Sequence, residues 1–225
     1  MPHHSRTWNS KQMTFYLHNK ALITLLIATL VLAPVTVLAS PTLLVFGDSL
    51  SAAYGLDKDD GWVSLLSKRL AREGYDYDVI NASISGETTR GGLTRLPGEI
   101  QRHRPMIAIV ELGANDGLRG LSLADMRRNL ASIIEKLQAG DSHVVLVGMR
   151  LPPNYGNAYT KRFAQVYSDL GQRYEIRLVP FLLDGVANHR QLFQVDGLHP
   201  IAAAQPTLLN NVWSQLEPLL ISVRH

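Results

Sequence analysis

Leu43-Leu44-Val45-Phe46-Gly47-Asp48-Ser49-Leu50-Ser51 decides how the rest of the 225-residue chain is read. Its apolar residues predict a short buried strand, and Gly47 is expected to end that strand by letting the backbone turn sharply. Ser49 follows at once, where a hydroxyl can stand clear of the sheet as a nucleophile. A strand ending in Gly-Asp-Ser also arises by chance, so the reading depends on what the remaining chain supplies.

Downstream, further apolar runs have strand character: Tyr77 to Asn81, Met106 to Leu112, His143 to Met149 and Ile176 to Val179. Met106–Leu112 is the cleanest, its β-branched residues suited to burial on both faces. Segments of helical spacing lie between them. Trp62, Leu65, Leu66 and Leu70 share one face before a stop at Gly74. A helix is expected from about Thr89 to His103, irregular near Pro97. Ser122 and Asp125 resemble a capping box ahead of Met126, Leu130, Ile133, Ile134 and Leu137. Another helix runs through Phe163, Val166, Tyr167 and Leu170, and the last from about Ala202 to Leu219. Five strands alternating with helices predict an α/β fold, a parallel sheet covered on both faces as a three-layer α/β/α sandwich. In such folds ligands bind beyond the carboxyl ends of the strands. The polar loops after strands one, two, three and five should therefore meet at one rim.

Upstream, residues 1–20 carry Arg6, Lys11 and Lys20 and no acid, and an apolar run from Ala21 to Ala33 follows. Pro34 and the small residues around Val37-Leu38-Ala39 complete the layout of a secretory signal, cleaved after Ala39. An uncleaved anchor is the alternative, but the run is short for a span of about 20 residues. The division expected is thus 1–39 signal peptide and 40–225 a single domain. The whole chain has 22 basic and 19 acidic residues, and its surplus of bases lies entirely in 1–39. Without that segment the chain is formally neutral, which removes any argument for a nucleic-acid partner. With 0 cysteines there is no disulfide framework and no thiol nucleophile.

Acyl transfer by serine needs a base, a group to orient that base, and donors for the developing oxyanion. Beyond residue 39 the histidines are His103, His143, His189, His199 and His225. His199 alone follows an acid at three-residue spacing, in Asp196-Gly197-Leu198-His199-Pro200, where the carboxylate can take one ring nitrogen and direct the other at a serine. The other four are expected to be exposed and inert. By spacing alone the pair fits equally well a surface Asp–His capping the last helix. For the oxyanion, Gly86 and Asn115 lie in the loops after strands two and three, and the Ser49 amide is a third donor. Each also has an ordinary reading, Gly86 as a turn residue and Asn115 as a helix cap.

Gly47-Asp48-Ser49-Leu50, Asn81-Ala82-Ser83-Ile84-Ser85-Gly86, Gly113-Ala114-Asn115-Asp116 and Asp196-Gly197-Leu198-His199-Pro200 resemble, in order, the four blocks of the SGNH (GDSL) hydrolases. Glu111–Gly120, Arg150–Gly156 and Thr94–Pro97 further resemble the subgroup containing the bacterial periplasmic acyl-CoA thioesterase I, also described as protease I and lysophospholipase L1. The resemblance implies Ser49 as nucleophile, His199 as base and Asp196 as its orienter, with Ser49, Gly86 and Asn115 forming the oxyanion hole. It also implies the flavodoxin-like sheet order 2-1-3-4-5, a periplasmic location and no cofactor. Glu87 and Ala114 depart from the subgroup's usual Asp and Gly without touching a catalytic group.

For the acyl pocket the apolar rim residues Ile84, Leu112, Leu151, Pro152, Pro153 and Tyr155 are candidates, with Gly117, Leu118 and Arg119 from a glycine-flanked loop expected to act as a lid. The expected substrates are small acyl esters and thioesters. Transient contact with membrane lipid and the oligomeric state are left open. A carbohydrate acetyl esterase using the same triad is the alternative enzyme, and a flavodoxin-like binding module the alternative from another class. No two histidines beyond residue 39 stand at metal-ligand spacing.

Overall fold

Strands rich in β-branched and aliphatic residues can be buried on both faces only at the centre of a helix-covered sheet, and the chain places them there. The structure, a computed structural model, describes residues 1, 9–11, 13–14 and 40–220. Backbone contacts divide the chain into two compact units, Met1–Ala39 and Ser40–His225. The apolar segment read as an export signal, and His225, lie outside the described residues. The second unit holds β1 (Thr42–Gly47), β2 (Asp78–Asn81), β3 (Ile107–Glu111), β4 (His143–Val147) and β5 (Arg177–Val179) in one parallel sheet of order β2-β1-β3-β4-β5. Leu43–Phe46, Ile107–Val110 and Val145–Val147 are fully shielded from solvent. The register sets Val45 beside Ile109 and Gly47 beside Glu111, so β1 and β3 end together.

Helices α1 (Trp62–Arg72), α2 (Thr89–His103), α3 (Ala114–Leu118), α4 (Leu123–Gln138), α5 (Asn157–Arg173) and α6 (Gln205–Leu216) supply the connections. α1 packs with α6, while α2, α4 and α5 pack in series. That division follows from right-handed crossovers: the step from β1 out to β2 runs opposite to every later step across the sheet. α2 starts where the Thr88 side chain accepts from Gly91 N and ends at Arg104 in the left-handed region, φ 42°. Pro97 does not break it. The last helix departs from expectation, because Ala202–Ala204 and Glu217–Leu219 are 3-10 turns flanking a shorter α6. Pro206 in the first turn and Pro218 beyond the end account for both limits. The stretch Gly113–Leu118, read as loop, contains the single turn of helix α3.

Candidate active site

β1 delivers Ser49 to the rim, and the reason for Gly47 differs from the expected turn. A Cβ there would lie 2.8 Å from Glu111 Oε2 and from the Ser51 hydroxyl. Gly47 is therefore the room that lets Glu111 reach under the loop that carries Ser49. Asp48 folds that loop: its Oδ1 accepts from Leu50 N at 3.0 Å, and its carbonyl accepts from Ala52 N. Ser49 is left half-buried at the surface end.

From a loop 150 residues away, His199 brings Nε2 to 2.9 Å from Ser49 Oγ, and its Nδ1 lies 2.7 Å from Asp196 Oδ2. Asp196 Oδ1 accepts from the amides of Leu198 and His199 at 2.9 and 3.0 Å. These hydrogen bonds, that from the imidazole foremost, hold the Asp196 carboxyl down at about 2. The pair is thus part of a turn aimed at Ser49, and not a cap on α6. Gln194 ties the segment down, its backbone amide donating to His199 O and its side-chain amide to Tyr54 O. Tyr54 stands 4.5 Å from the His199 ring, an apolar wall that the sequence reading missed. His143 and His189 are exposed, as expected; His103 is half-buried instead, 3.4 Å from Glu99 on the same helix.

Three groups can receive a developing oxyanion. Asn115 is carried by α3, and its Nδ2 donates to Asp48 Oδ2 at 3.0 Å, leaving its second amide hydrogen free. Gly86 lies at φ +79° in the turn Ile84–Glu87, where Glu87 N donates to Ile84 O, and Ile84 N in turn donates to Gly47 O. That φ is the left-handed value that the third position of a type II turn requires. Neither the Gly86 nor the Ser49 amide donates a hydrogen bond within the described residues. Beneath them lies a buried network that residue spacing did not reveal. Glu111 Oε2 accepts from Ser51 Oγ at 2.8 Å and Asp48 N at 3.3 Å, while Oε1 has no partner. Burial pushes Asp48 up to about 6 and Glu111 well above the ordinary carboxylate range. Alongside, buried Asp116 accepts from both the amide and the hydroxyl of Thr89, joining α3 to the start of α2.

A cavity of about 500 Å³ is walled in part by Ala114, Gly197 and Leu198, which neighbour Asn115 and His199 along the chain. Leu118, Leu151, Pro152 and Pro153 line it as expected. The other pocket candidates do different work. Leu112 is fully buried, Tyr155 donates to Leu118 O behind the wall, and Ile84 is exposed at the rim. Gly117 belongs to α3, with room for a Cβ denied by Phe163 and Leu151 at 2.5 and 2.8 Å, so it serves packing and not hinge motion. Arg119 points away, to Gly86 O. Phe181, Leu183, Phe193 and Leu198 are further apolar residues of the lining, none of them anticipated from the sequence.

A parallel sheet with a Ser–His–Asp chain and free amides at its strand ends defines a hydrolase of the α/β class. The chain belongs to the GDSL-like lipase/acylhydrolase family, whose model matches residues 45–205, and it is a carboxylic ester hydrolase. It is 53% identical over 182 residues to esterase TesA of Pseudomonas aeruginosa, covering 81% of this chain and 90% of that one. To thioesterase 1/protease 1/lysophospholipase L1 of Escherichia coli it is 38% identical over 191 residues, covering 85% and 90%. A crystal structure of TesA superposes with a TM-score of 0.78 at 54% identity, over 80% of this chain and 99% of that one.

Proposed function

We propose that the protein is an exported serine esterase that cleaves acyl esters and thioesters through an acyl-Ser49 intermediate. Ser49 Oγ attacks the carbonyl carbon as its proton passes to His199 Nε2. The tetrahedral oxyanion is taken by the amides of Ser49 and Gly86 and by Asn115 Nδ2. Collapse expels the alcohol or thiol, which leaves with the proton from His199, and a water activated by the same imidazole hydrolyses the acyl-enzyme. Asp196 keeps Nδ1 protonated so that Nε2 is the basic nitrogen. The observation that carries this reading is the unbroken hydrogen-bonded chain Ser49–His199–Asp196 at 2.9 and 2.7 Å.

The name of one relative, thioesterase 1/protease 1/lysophospholipase L1, favours thioester and lipid substrates over a carbohydrate acetate. So does the cavity, which is larger than an acetyl group needs. Export is supported by the basic start and apolar run of residues 1–39, and periplasmic release would leave Ser40 as the amino terminus. Two measurements test the reading. Ser49→Ala is expected to abolish turnover of a chain-length series of aryl esters and acyl-CoA thioesters, and a fluorophosphonate should label the wild type once, at Ser49. Hydrolysis at the wild-type rate by Ser49→Ala would overturn the assignment. Mass spectrometry of the secreted protein reads the cleavage position.

A further inference from the structure

The turn that carries Ser49 has separate supports for its shape and for its placement. Ala52 N donates to Asp48 O at 2.9 Å and Tyr54 N to Ser49 O at 3.1 Å, which fixes the shape. Neither bond reaches the sheet. Gly47 still belongs to β1, so the entry to the turn is held by the ladder to β3. Beyond Gly47 the ties to the sheet are side chains. Asn81 Nδ2, at the end of β2, donates to Ser51 O at 2.8 Å. Glu111 Oε2, at the end of β3, accepts from Asp48 N at 3.3 Å and from Ser51 Oγ at 2.8 Å. One carboxyl oxygen thus grips the residue before Ser49 and a residue just after it. Glu111 has no solvent exposure, makes no ion pair among the described residues, and leaves Oε1 without a partner. The ionisable groups around this network are Asp48, Asp116 on α3 and the Tyr167 phenol on α5, with His199 acting on Asp48. The nearby cation Arg95 is engaged with Glu87 and lies over the Phe46 ring at 4.0 Å. A buried carboxylate with an unpartnered oxygen and no counter-ion is far costlier than the neutral acid. Burial, and then the charge of Asp48, push the Glu111 carboxyl in that same direction.

We propose that Glu111 is a positioning residue which, as an uncharged acid, clamps the turn on both sides of Ser49 and sets where the nucleophile stands. His199 arrives on a separate turn, so its Nε2 meets Ser49 Oγ at 2.9 Å only while the Ser49 turn keeps its place. No residue from Asp48 to Ser51 lines the acyl cavity, so a displaced turn costs rate and not substrate binding. Both bonds of the clamp need only an acceptor oxygen, which a neutral carboxyl supplies. This inference rests on the acyl-Ser49 reading of the site.

The test uses the purified protein and its Glu111→Asp, Glu111→Gln, Ser51→Ala and Ser49→Ala variants on p-nitrophenyl butyrate from about pH 5 to 9. Rates of the Glu111 and Ser51 variants are taken per active site titrated with a fluorophosphonate, so that misfolded chains drop out. Glu111→Asp withdraws the carboxyl by one methylene and is expected to lower kcat about thirtyfold with KM little changed. Ser51→Ala releases one arm of the clamp and should cost about fivefold in kcat, which keeps the test open if Glu111→Asp does not fold. Glu111→Gln, an uncharged acceptor of the same length, should recover most of the rate, to within about threefold of wild type. Its acidic limb of kcat/KM, set by His199, should stay in place. A Ser51→Ala variant within about twofold of wild type, or losses confined to KM, overturns the clamp. A Glu111→Gln loss as large as that of Glu111→Asp overturns the uncharged form. So does an acidic limb moved to lower pH, the shift that follows when a negative charge near the imidazolium is removed. Undiminished hydrolysis by Ser49→Ala overturns the underlying reading instead, whatever the Glu111 variants do.

Discussion

Two carboxylates serve the same serine from opposite surroundings. Asp48 is 1% exposed, bonded to Asn115 of the proposed oxyanion site, just past the end of a central strand. Asp196 has 38% of its side chain exposed and sits on a turn that reaches the site from the far end of the chain. Burial drives Asp48 up to about 6, and hydrogen bonds hold Asp196 down at about 2. The two halves of the site are thus stabilised by different means. The oxyanion half is built into the sheet, where Asp48, Glu111, Ser51 and Asn115 fix one another. The base half is a solvated turn, held by Asx hydrogen bonds, Gln194 and the two bonds from Arg190 to the carbonyls of Gln194 and Val195. Damage on the exposed side should show in rate alone; damage on the buried side should show in rate and in stability.

The largest effect expected is on the exposed side. Asp196→Asn should lower kcat by about 10⁴-fold, since the amide favours the wrong imidazole tautomer, while the melting temperature stays within a degree or two. A comparable loss of stability would show that the turn is part of the folding core and that the contrast is false. Next comes Asn115→Ala, expected to cost about 10²–10³ in kcat with a smaller change in KM, as loss of one oxyanion donor does. Asp48→Asn should act on the same donor at one remove. It sets an amide against the Asn115 amide, and a loss of about tenfold in kcat is expected. Steady-state kinetics on one aryl ester orders all three, and an Asp48 effect larger than that of Asn115 would mean that Asp48 does more than hold it.

How much of this was legible differs between the halves as well. The sheet could be read because each central strand is a continuous apolar run, and its limits fell within a residue or two. Ser49, His199 and Asp196 could be read because their spacing is chemical and local: a strand end, and an acid three residues before a histidine. The buried network could not. Glu111 looked like the polar end of a strand, and nothing along the chain says that the missing side chain of Gly47 admits its carboxylate. The cavity wall from Phe181 to Leu198 is equally a product of tertiary return. Arg119 was assigned to substrate, because sequence places a cation at the rim without saying which carbonyl it meets.

The smallest effect separates the two carboxylates by pH. The native pKa of Asp48 lies above the ordinary carboxylate value near 4, so between about pH 4 and 6 the folded chain keeps a proton that the unfolded chain has released. Stability from this group falls as pH rises through that window. Asp196 has the opposite sign. Its native form has lost a proton that the unfolded chain still holds between about pH 4 and 2, so its contribution is present above that range and is lost as pH falls through it. Melting curves of wild type, Asp48→Asn and Asp196→Asn from pH 3 to 8 should therefore diverge in two places. Asp48→Asn should reduce the decline between pH 4 and 6 by about 2–4 °C, the change expected for about 1 kcal/mol in a domain of this size. Asp196→Asn should run parallel to wild type there, displaced by a small constant offset, and the two curves should converge only below about pH 4, where wild type loses what the carboxylate contributes. If the two variants change the same window, the carboxylates share one environment, and the division of the site into a buried and a solvated half is wrong.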